Sequence, residues 1–306
     1  MTAVYYVLTV LIWGTTWIAI KGQLGPVAFE ASIVYRFALA GAVLFAALAL
    51  TRRLQPIPWR QQPYVVLQAL CLFSCNFVCF YLATRTIASG ILSVVFSAAT
   101  IFNIANAYLF HRRRPSARLV AGAVIGLAGI LLLFRDAVAG AALGGDTVVG
   151  LGLAVLGTWF FSAGNLVSAR NQRHGLTVGT VNAYGMLYGA ALVAAVSLAL
   201  GVPFGFDPSP VYVGSLLYLA IPGSVIAFTS YLTVVHRLGP EKAAYMTVLF
   251  PVVALAISIA VEGYRVTPLA ALGFAAVLAG NVVVFAPRGL FARNGKGRPE
   301  AASSER

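Results

Sequence analysis

Ten apolar runs, each long enough to cross a bilayer as a single helix, take up most of this 306-residue sequence. They fall at about 4–21, 31–50, 64–82, 87–110, 117–135, 148–169, 177–200, 211–235, 241–262 and 267–286. Lipid offers the backbone no hydrogen-bond partner, so a spanning segment must satisfy its own. Roughly 20 apolar residues in a helix then cover a hydrocarbon core of about 30 Å. Hydrophobic residues make up 60% of the chain and charged ones 9%, which excludes an ordinary water-soluble fold. The first run has no basic flank before it and no small-residue cleavage site, so it is read as a span rather than a signal. The expected fold is an all-α polytopic membrane protein of ten transmembrane helices.

A net charge of +13 and the basic stretch "HRRRPSAR" (111–118) raise nucleic acid as a partner. Topology accounts for them better. With the N-terminus in the cytoplasm, all of the 21 basic residues except Lys21, Arg36, Arg85, Arg135 and Arg265 fall in cytoplasmic segments. The basic loops then fix orientation and meet anionic headgroups. The expected partners are membrane lipids and a small-molecule substrate, not nucleic acid. Both termini are expected in the cytoplasm, with a disordered polar tail at 287–306.

The longest outer connection, "RDAVAGAALGGDT" (135–147), divides five spans from five. The chain is therefore cut into 1–135, a linker over 136–147, and 148–286. The two halves resemble each other. Trp13 of "VLIWGTTWIAIKG" matches Trp159 of "VLGTWFFSAGNLVSAR" at an offset of 146, a register that also sets Arg36 on Asn182. "PSARLVAGAVIGLAGILLLF" and "VTPLAALGFAAVLAGNVVVF" match at an offset of 151, pairing Gly122 with Gly273 and Gly129 with Gly280. Five spans per unit put the second unit in the opposite orientation. The expected arrangement is two inverted repeats around a central cavity, which supplies alternating access.

Such a cavity needs polar and aromatic groups at helix centres, where lipid penalises polar ones unless they face inward. Those groups are Thr15, Thr16 and Trp17, then Ser74, Asn76 and Phe77, then Phe96, Ser97 and Thr100. The second half contributes Trp159, Ser162 and Asn165, Ser224 and Thr229, and Tyr245, Thr247 and Phe250. Pro251 frees a helical carbonyl or only kinks its helix. No acid, base or histidine falls at a span centre, so the lining is expected to be uncharged. It suits neutral or zwitterionic amphipathic solutes, and it speaks as much for facilitated transport as for proton antiport. Lys21, Glu30 and Arg36 are expected to cluster at the outer membrane face as structural or gating charges, with Glu262 at another outer helix end.

Packing competes with ligand binding at several of these positions. Trp13 and Trp17 share a helix face, and Gly14, Thr15 and Thr16 would let a neighbouring helix approach closely. Cys71, Cys75 and Cys79 recur every fourth residue, but the outer two lie about 12 Å apart along a helix, too far for one metal ion. No metal or cofactor is expected.

"WGTTWIAIK", "PVAFEASIVYRFALAG", "EGYRVTP" and the glycine-spaced fifth and tenth spans resemble the EamA family of the drug/metabolite transporter superfamily over roughly residues 3–286. The resemblance implies a ten-helix bacterial inner-membrane transporter, nearest in kind to the aromatic-amino-acid exporters. It carries a cavity role onto Asn76, Phe77, Phe96, Ser97, Trp159, Tyr245 and Pro251. One departure is "FHRRRPS", basic where many members place an acid after the fourth span. The function expected is export of small neutral or amphipathic metabolites, amino acids first, by a monomer. Multidrug efflux and lipid flipping or scrambling are the alternatives; a membrane-embedded enzyme lacks a nucleophile and base at compatible depth.

Overall fold

The computed structural model describes residues 2–111, 116–140, 145–238 and 246–285, and the regular elements among them are all helical. In chain order these are α1 (Thr2–Lys21), α2 (Phe29–Leu50), α3 (Gln62–Ala69), α4 (Asn76–Thr84), α5 (Ser89–Ser97), α6 (Ala99–His111) and α7 (Ala117–Gly140). The second half holds α8 (Gly145–Arg173), α9 (Val178–Ala199), α10 (Pro210–Ala220), α11 (Ala227–Leu238), α12 (Met246–Glu262) and α13 (Pro268–Phe285). Two π-helical turns, Leu70–Cys75 and Ile221–Ile226, join α3 to α4 and α10 to α11 as continuous rods. Six described helices, Thr2–Lys21, Phe29–Leu50, Trp59–Thr84, Gly145–Arg173, Val178–Ala199 and Pro210–Tyr231, are long and apolar enough to cross a membrane. Four shorter apolar helices accompany them.

Helix ends follow local chemistry. Gly175, Gly201 and Gly263 adopt φ of +83°, +70° and +65° just past α8, α9 and α12, the left-handed conformation that closes a helix and that a Cβ disfavours. At the start of α10, Pro210 follows Ser209, whose hydroxyl accepts from the Tyr212 amide. Asp207 in turn accepts from the Ser209 amide at 2.9 Å and from its hydroxyl at 2.8 Å, fixing the entry. Of the connection expected over 135–147, residues 141–144 lie outside the described residues and the rest is helical: α7 runs on to Gly140 and α8 begins at Gly145. Alanine is the best helix former and Gly140, the costly residue of this segment, falls only at the last position, so α7 carries on past Arg135.

Packing sorts the helices into pairs. α2 lies along α9, and α7 along α13, while α1 packs on α11 and α12, and α8 on α4 and α6. Large apolar side chains such as Val4, Leu11, Val196 and Ile259 point outward, as a hydrocarbon solvent permits. In the α7–α13 pair glycines bring the two backbones into contact. A Cβ on Gly129 would stand 2.6 Å from the Gly273 carbonyl oxygen, and one on Gly280 2.6 Å from that of Gly122. The pairing of an earlier glycine with a later one makes the two helices antiparallel. With no hydrophobic drive between helices in lipid, such close van der Waals contact is what holds them.

Gly129→Ala is therefore expected to lower the melting temperature in detergent, at a cost of about 1–3 kcal/mol from overpacking. Gly152→Ala, where an added Cβ meets nothing within 4 Å, is the control and should leave melting unchanged or slightly raised.

Candidate functional site

The two π-helical turns shape the site. A π turn widens the helix and leaves backbone carbonyls to be satisfied by side chains. In the first, the Ser74 hydroxyl reaches the Ala69 carbonyl at 3.2 Å and the Gly189 carbonyl of α9 at 3.3 Å. In the second, Ser224 reaches the Leu219 carbonyl at 2.9 Å, five residues back as in the first. Pro222 lies in this turn, where its missing amide removes a rung of the helical ladder.

Between these rods lies a cavity of about 60 Å³. It is lined by Trp13, Thr16, Trp17 and Ile20 of α1, Arg36 of α2, and Leu72, Asn76, Phe77 and Phe80 of the α3–α4 rod. Phe96 of α5, Phe161 of α8, Gly223 and Phe228 of the α10–α11 rod, and Phe250 of α12 complete it. The aromatic rings form a connected wall: Trp17 meets Phe80 at 5.1 Å and Phe96 at 5.5 Å, and Phe96 meets Phe161 at 4.5 Å and Phe250 at 5.9 Å. Trp13 continues it to Phe228 at 5.3 Å and directs its Nε1 to the Gly223 carbonyl at 3.4 Å. Gly14 between the tryptophans admits α12, for a Cβ there would stand 2.7 Å from Val253. Thus both tryptophans face the cavity and the small residues beside them set the helix contact.

Of the residues expected to bind substrate, Trp17, Asn76, Phe77, Phe96 and Phe250 line this cavity. Ser97, Trp159, Asn165 and Pro251 do not. Ser97 turns to α13, accepting from Asn281 at 3.4 Å and donating to the Val94 carbonyl at 2.7 Å. Trp159 is half-buried and packs on Phe160 at 5.1 Å, two residues and so roughly the opposite helix face from Phe161, which lines the wall. Asn165 is half-buried on α8, Pro251 is buried in α12, and Tyr245 lies outside the described residues. Asn76 donates to the Gly157 carbonyl at 2.8 Å, so its amide also clamps the α3–α4 rod to α8. Trp13, where packing competed with ligand binding, also lines the cavity, and so do Ile20, Arg36, Leu72, Phe80, Phe161 and Phe228, which the sequence did not single out for it.

The expected outer cluster of Lys21, Glu30 and Arg36 is not formed. Lys21 pairs with Glu262, which also accepts from the Ser89 amide at 3.0 Å and its hydroxyl at 2.5 Å, tying α1, α12 and α5 together. Glu30 lies instead on a lateral, almost wholly apolar groove of about 380 Å³ with Cys75, Cys79 and Val196. Arg36 is only 3% exposed and faces the cavity, so the lining is not uncharged. Its guanidinium carbon sits 4.5 Å from the Phe77 ring centre and 5.2 Å from that of Phe37, and its Nε donates to Ser224 Oγ at 3.4 Å. Depth along the helix does not decide the direction: Arg36 lies about two turns from the start of α2, close enough to snorkel, but α2 turns it inward. At the opposite end of the bundle a neutral network stands where Lys21 and Glu262 stand at theirs. Gln68 donates to Asn182 at 3.2 Å and accepts from Asn171 at 3.1 Å.

A helical membrane protein that gathers an aromatic cavity from helices of both halves of its chain has the build of a carrier for small molecules. The profile of the EamA-like transporter family matches residues 1–135 and 146–286, and this chain belongs to that family. An Escherichia coli K12 protein named as an uncharacterized inner membrane transporter, YedA, is 27% identical over 285 residues, spanning 92% of this chain and 89% of its own. An uncharacterized transporter of Archaeoglobus fulgidus is 32% identical over 129 residues, 41% of this chain and 45% of its own. A protein of known crystal structure, 21% identical, shares the fold with a TM-score of 0.66 over 92% of this chain and 95% of that one.

The Lys21–Glu262 contact is partly shielded, Glu262 being 9% exposed, and it is expected to couple the two side chains by about 0.5–3 kcal/mol. A double-mutant cycle of Lys21→Met and Glu262→Gln, read by thermal unfolding in detergent, measures this; additive effects would mean the pair adds nothing.

Proposed function

We propose that this chain is a bacterial inner-membrane exporter of small amphipathic metabolites, amino acids being the first class to test, and that it works by alternating access between two inverted five-helix repeats. Ten spans then correspond to α1, α2, the α3–α4 rod, α5–α6, α7, α8, α9, the α10–α11 rod, α12 and α13, with both termini cytoplasmic. Several observations support the repeat. The two π-helical turns begin 151 residues apart, the offset that aligns Gly122 with Gly273 and Gly129 with Gly280. Gly129 meets Gly273 and Gly122 meets Gly280, so exchanging each glycine for its counterpart at that offset turns one contact into the other, as a two-fold axis between α7 and α13 requires. The partners of α1, namely the α10–α11 rod and α12, are likewise the repeat counterparts of the partners of α8, the α3–α4 rod and α6.

The observation that carries the transport reading is the aromatic cavity itself, walled by helices of both repeats and closed at its two ends by unlike fastenings. An ionic contact joins α1, α5 and α12 at one end, and an amide network joins α3, α8 and α9 at the other. Relative motion of the repeats would loosen one while keeping the other. Because the cavity holds only about 60 Å³, a metabolite enters it by displacing the aromatic wall. The lateral groove beside α9 favours one other reading, movement of lipid, because its lining is almost wholly apolar.

Uptake of labelled tryptophan, phenylalanine and threonine into proteoliposomes, with and without an imposed pH gradient, tests the proposal. Trp17→Ala is expected to cut saturable flux at least about tenfold, whereas Trp159→Ala, outside the cavity wall, should stay within about twofold of the parent protein. Movement of fluorescent phospholipid in the same vesicles, with no flux of any metabolite, would favour the lipid reading.

A further inference from the structure

A cation buried in a low-dielectric interior is stabilised by a counter-ion or it is expensive to keep. Arg36 has none. The acidic side chains described in the structure are engaged or placed elsewhere: Glu262 on Lys21 and Ser89, Asp207 on Ser209, Glu30 on the lateral groove, and Asp146 exposed at the start of α8. The neighbours of the guanidinium are neutral, comprising the faces of Phe77 and Phe37, the Ser224 hydroxyl and the Tyr81 hydroxyl, which itself donates to Gln23. Its Nη1 is fully buried and has no hydrogen-bond partner among the described residues. Only one repeat carries the charge. The corresponding helix of the other half, α9, has no charged residue anywhere along Val178–Ala199. A structural bolt between the α2 and α9 arms would need no such asymmetry, whereas a ligand with one charged end would.

We propose that Arg36 is the anchor for a carboxylate, and that the site takes organic acids whose apolar body lies against Trp17, Phe80, Phe96 and Phe250. A carboxylate brought to Nη1 supplies the missing counter-ion and a charge-assisted hydrogen bond, and the planar guanidinium suits that geometry better than an ammonium would. The rings take the apolar body by edge and face contact. An amine of the same body would bring a second cation beside the guanidinium with no acid among the described lining residues to receive it. The order of affinity expected is therefore monocarboxylate first, zwitterionic amino acid next, and amine or amide last. This inference rests on reading the cavity as the substrate site of a transporter.

Four probes share one body and differ in the polar group: cyclohexylacetate, cyclohexylalanine, 2-cyclohexylethylamine and cyclohexylacetamide. Binding to the purified full chain in detergent is followed by its tryptophan fluorescence, and melting is recorded for the parent, Arg36→Lys, Arg36→Gln and Arg36→Met. Cyclohexylacetate should bind saturably, at least about tenfold more tightly than the amine or amide, and Arg36→Gln should remove that preference while Arg36→Lys keeps part of it. Without ligand, Arg36→Met should melt no lower than the parent, because it removes an uncompensated buried charge. An amine or amide bound as tightly as the acid, unchanged acid binding in Arg36→Gln, or no saturable response of the folded parent to the acid would each overturn the proposal. Flux of labelled phenylacetate in proteoliposomes separates the two levels. Arg36-dependent binding without flux would sink the transport reading alone, and flux of amines and acids alike would sink only the carboxylate anchor.

Discussion

A hydrocarbon solvent that cannot hydrogen-bond the backbone governs this molecule. It forces each crossing segment into a helix, and it makes any departure from helical bonding affordable only where a side chain answers the freed carbonyl. The two π-helical turns are such departures, and in each a serine hydroxyl reaches back five residues to do so, Ser74 to Ala69 and Ser224 to Leu219. The widening they cause sits beside the cavity, with Leu72 and Gly223 of the two turns in its wall. The same solvent gives helices no hydrophobic reason to associate, so contact rests on glycines such as Gly129 and Gly273, which let backbones touch.

Charge inside this fold is rationed, and its placement divides the site into parts. At one end Lys21 and Glu262 neutralise each other and hold three helices. At the other end amides take over, and Arg170 binds Gln61 beside the Asn171–Gln68 link. Arg36 stands between them in depth, against rings and a hydroxyl instead of a carboxylate. α9, which packs along α2, carries no charged residue, so the charge at Arg36 is not repeated on its packing partner. The glycine contacts hold α7 to α13.

Much of this was legible in the residues. Apolar length set where the helices lie, and the Gly122/Gly273 and Gly129/Gly280 matches marked the helix pair whose backbones meet. Aromatic residues near span centres found part of the wall, among them Trp17, Phe96 and Phe250. Rotation about the helix axis was not legible. A membrane helix is apolar on all sides, so its sequence has little periodicity to say which face turns inward. That is why the sequence points to Trp159 where Phe161, two residues on, faces the cavity, and to Ser97, which serves Asn281 of α13. The π turns shift the register of residues after them, which no hydropathy pattern reports.

Arg36 shows most clearly where sequence stopped. Its distance from the end of α2 is fixed by counting residues, and at that depth a long cationic side chain has two outlets, the membrane surface or the protein interior. The sequence by itself determined an all-helical membrane chain with two related halves, because backbone satisfaction in lipid and glycine-mediated contact are written in composition and spacing. Only the tertiary structure decided that Lys21 would take Glu262 and leave Arg36 facing the rings, because which charges pair depends on how helices far apart in sequence rotate and pack against one another.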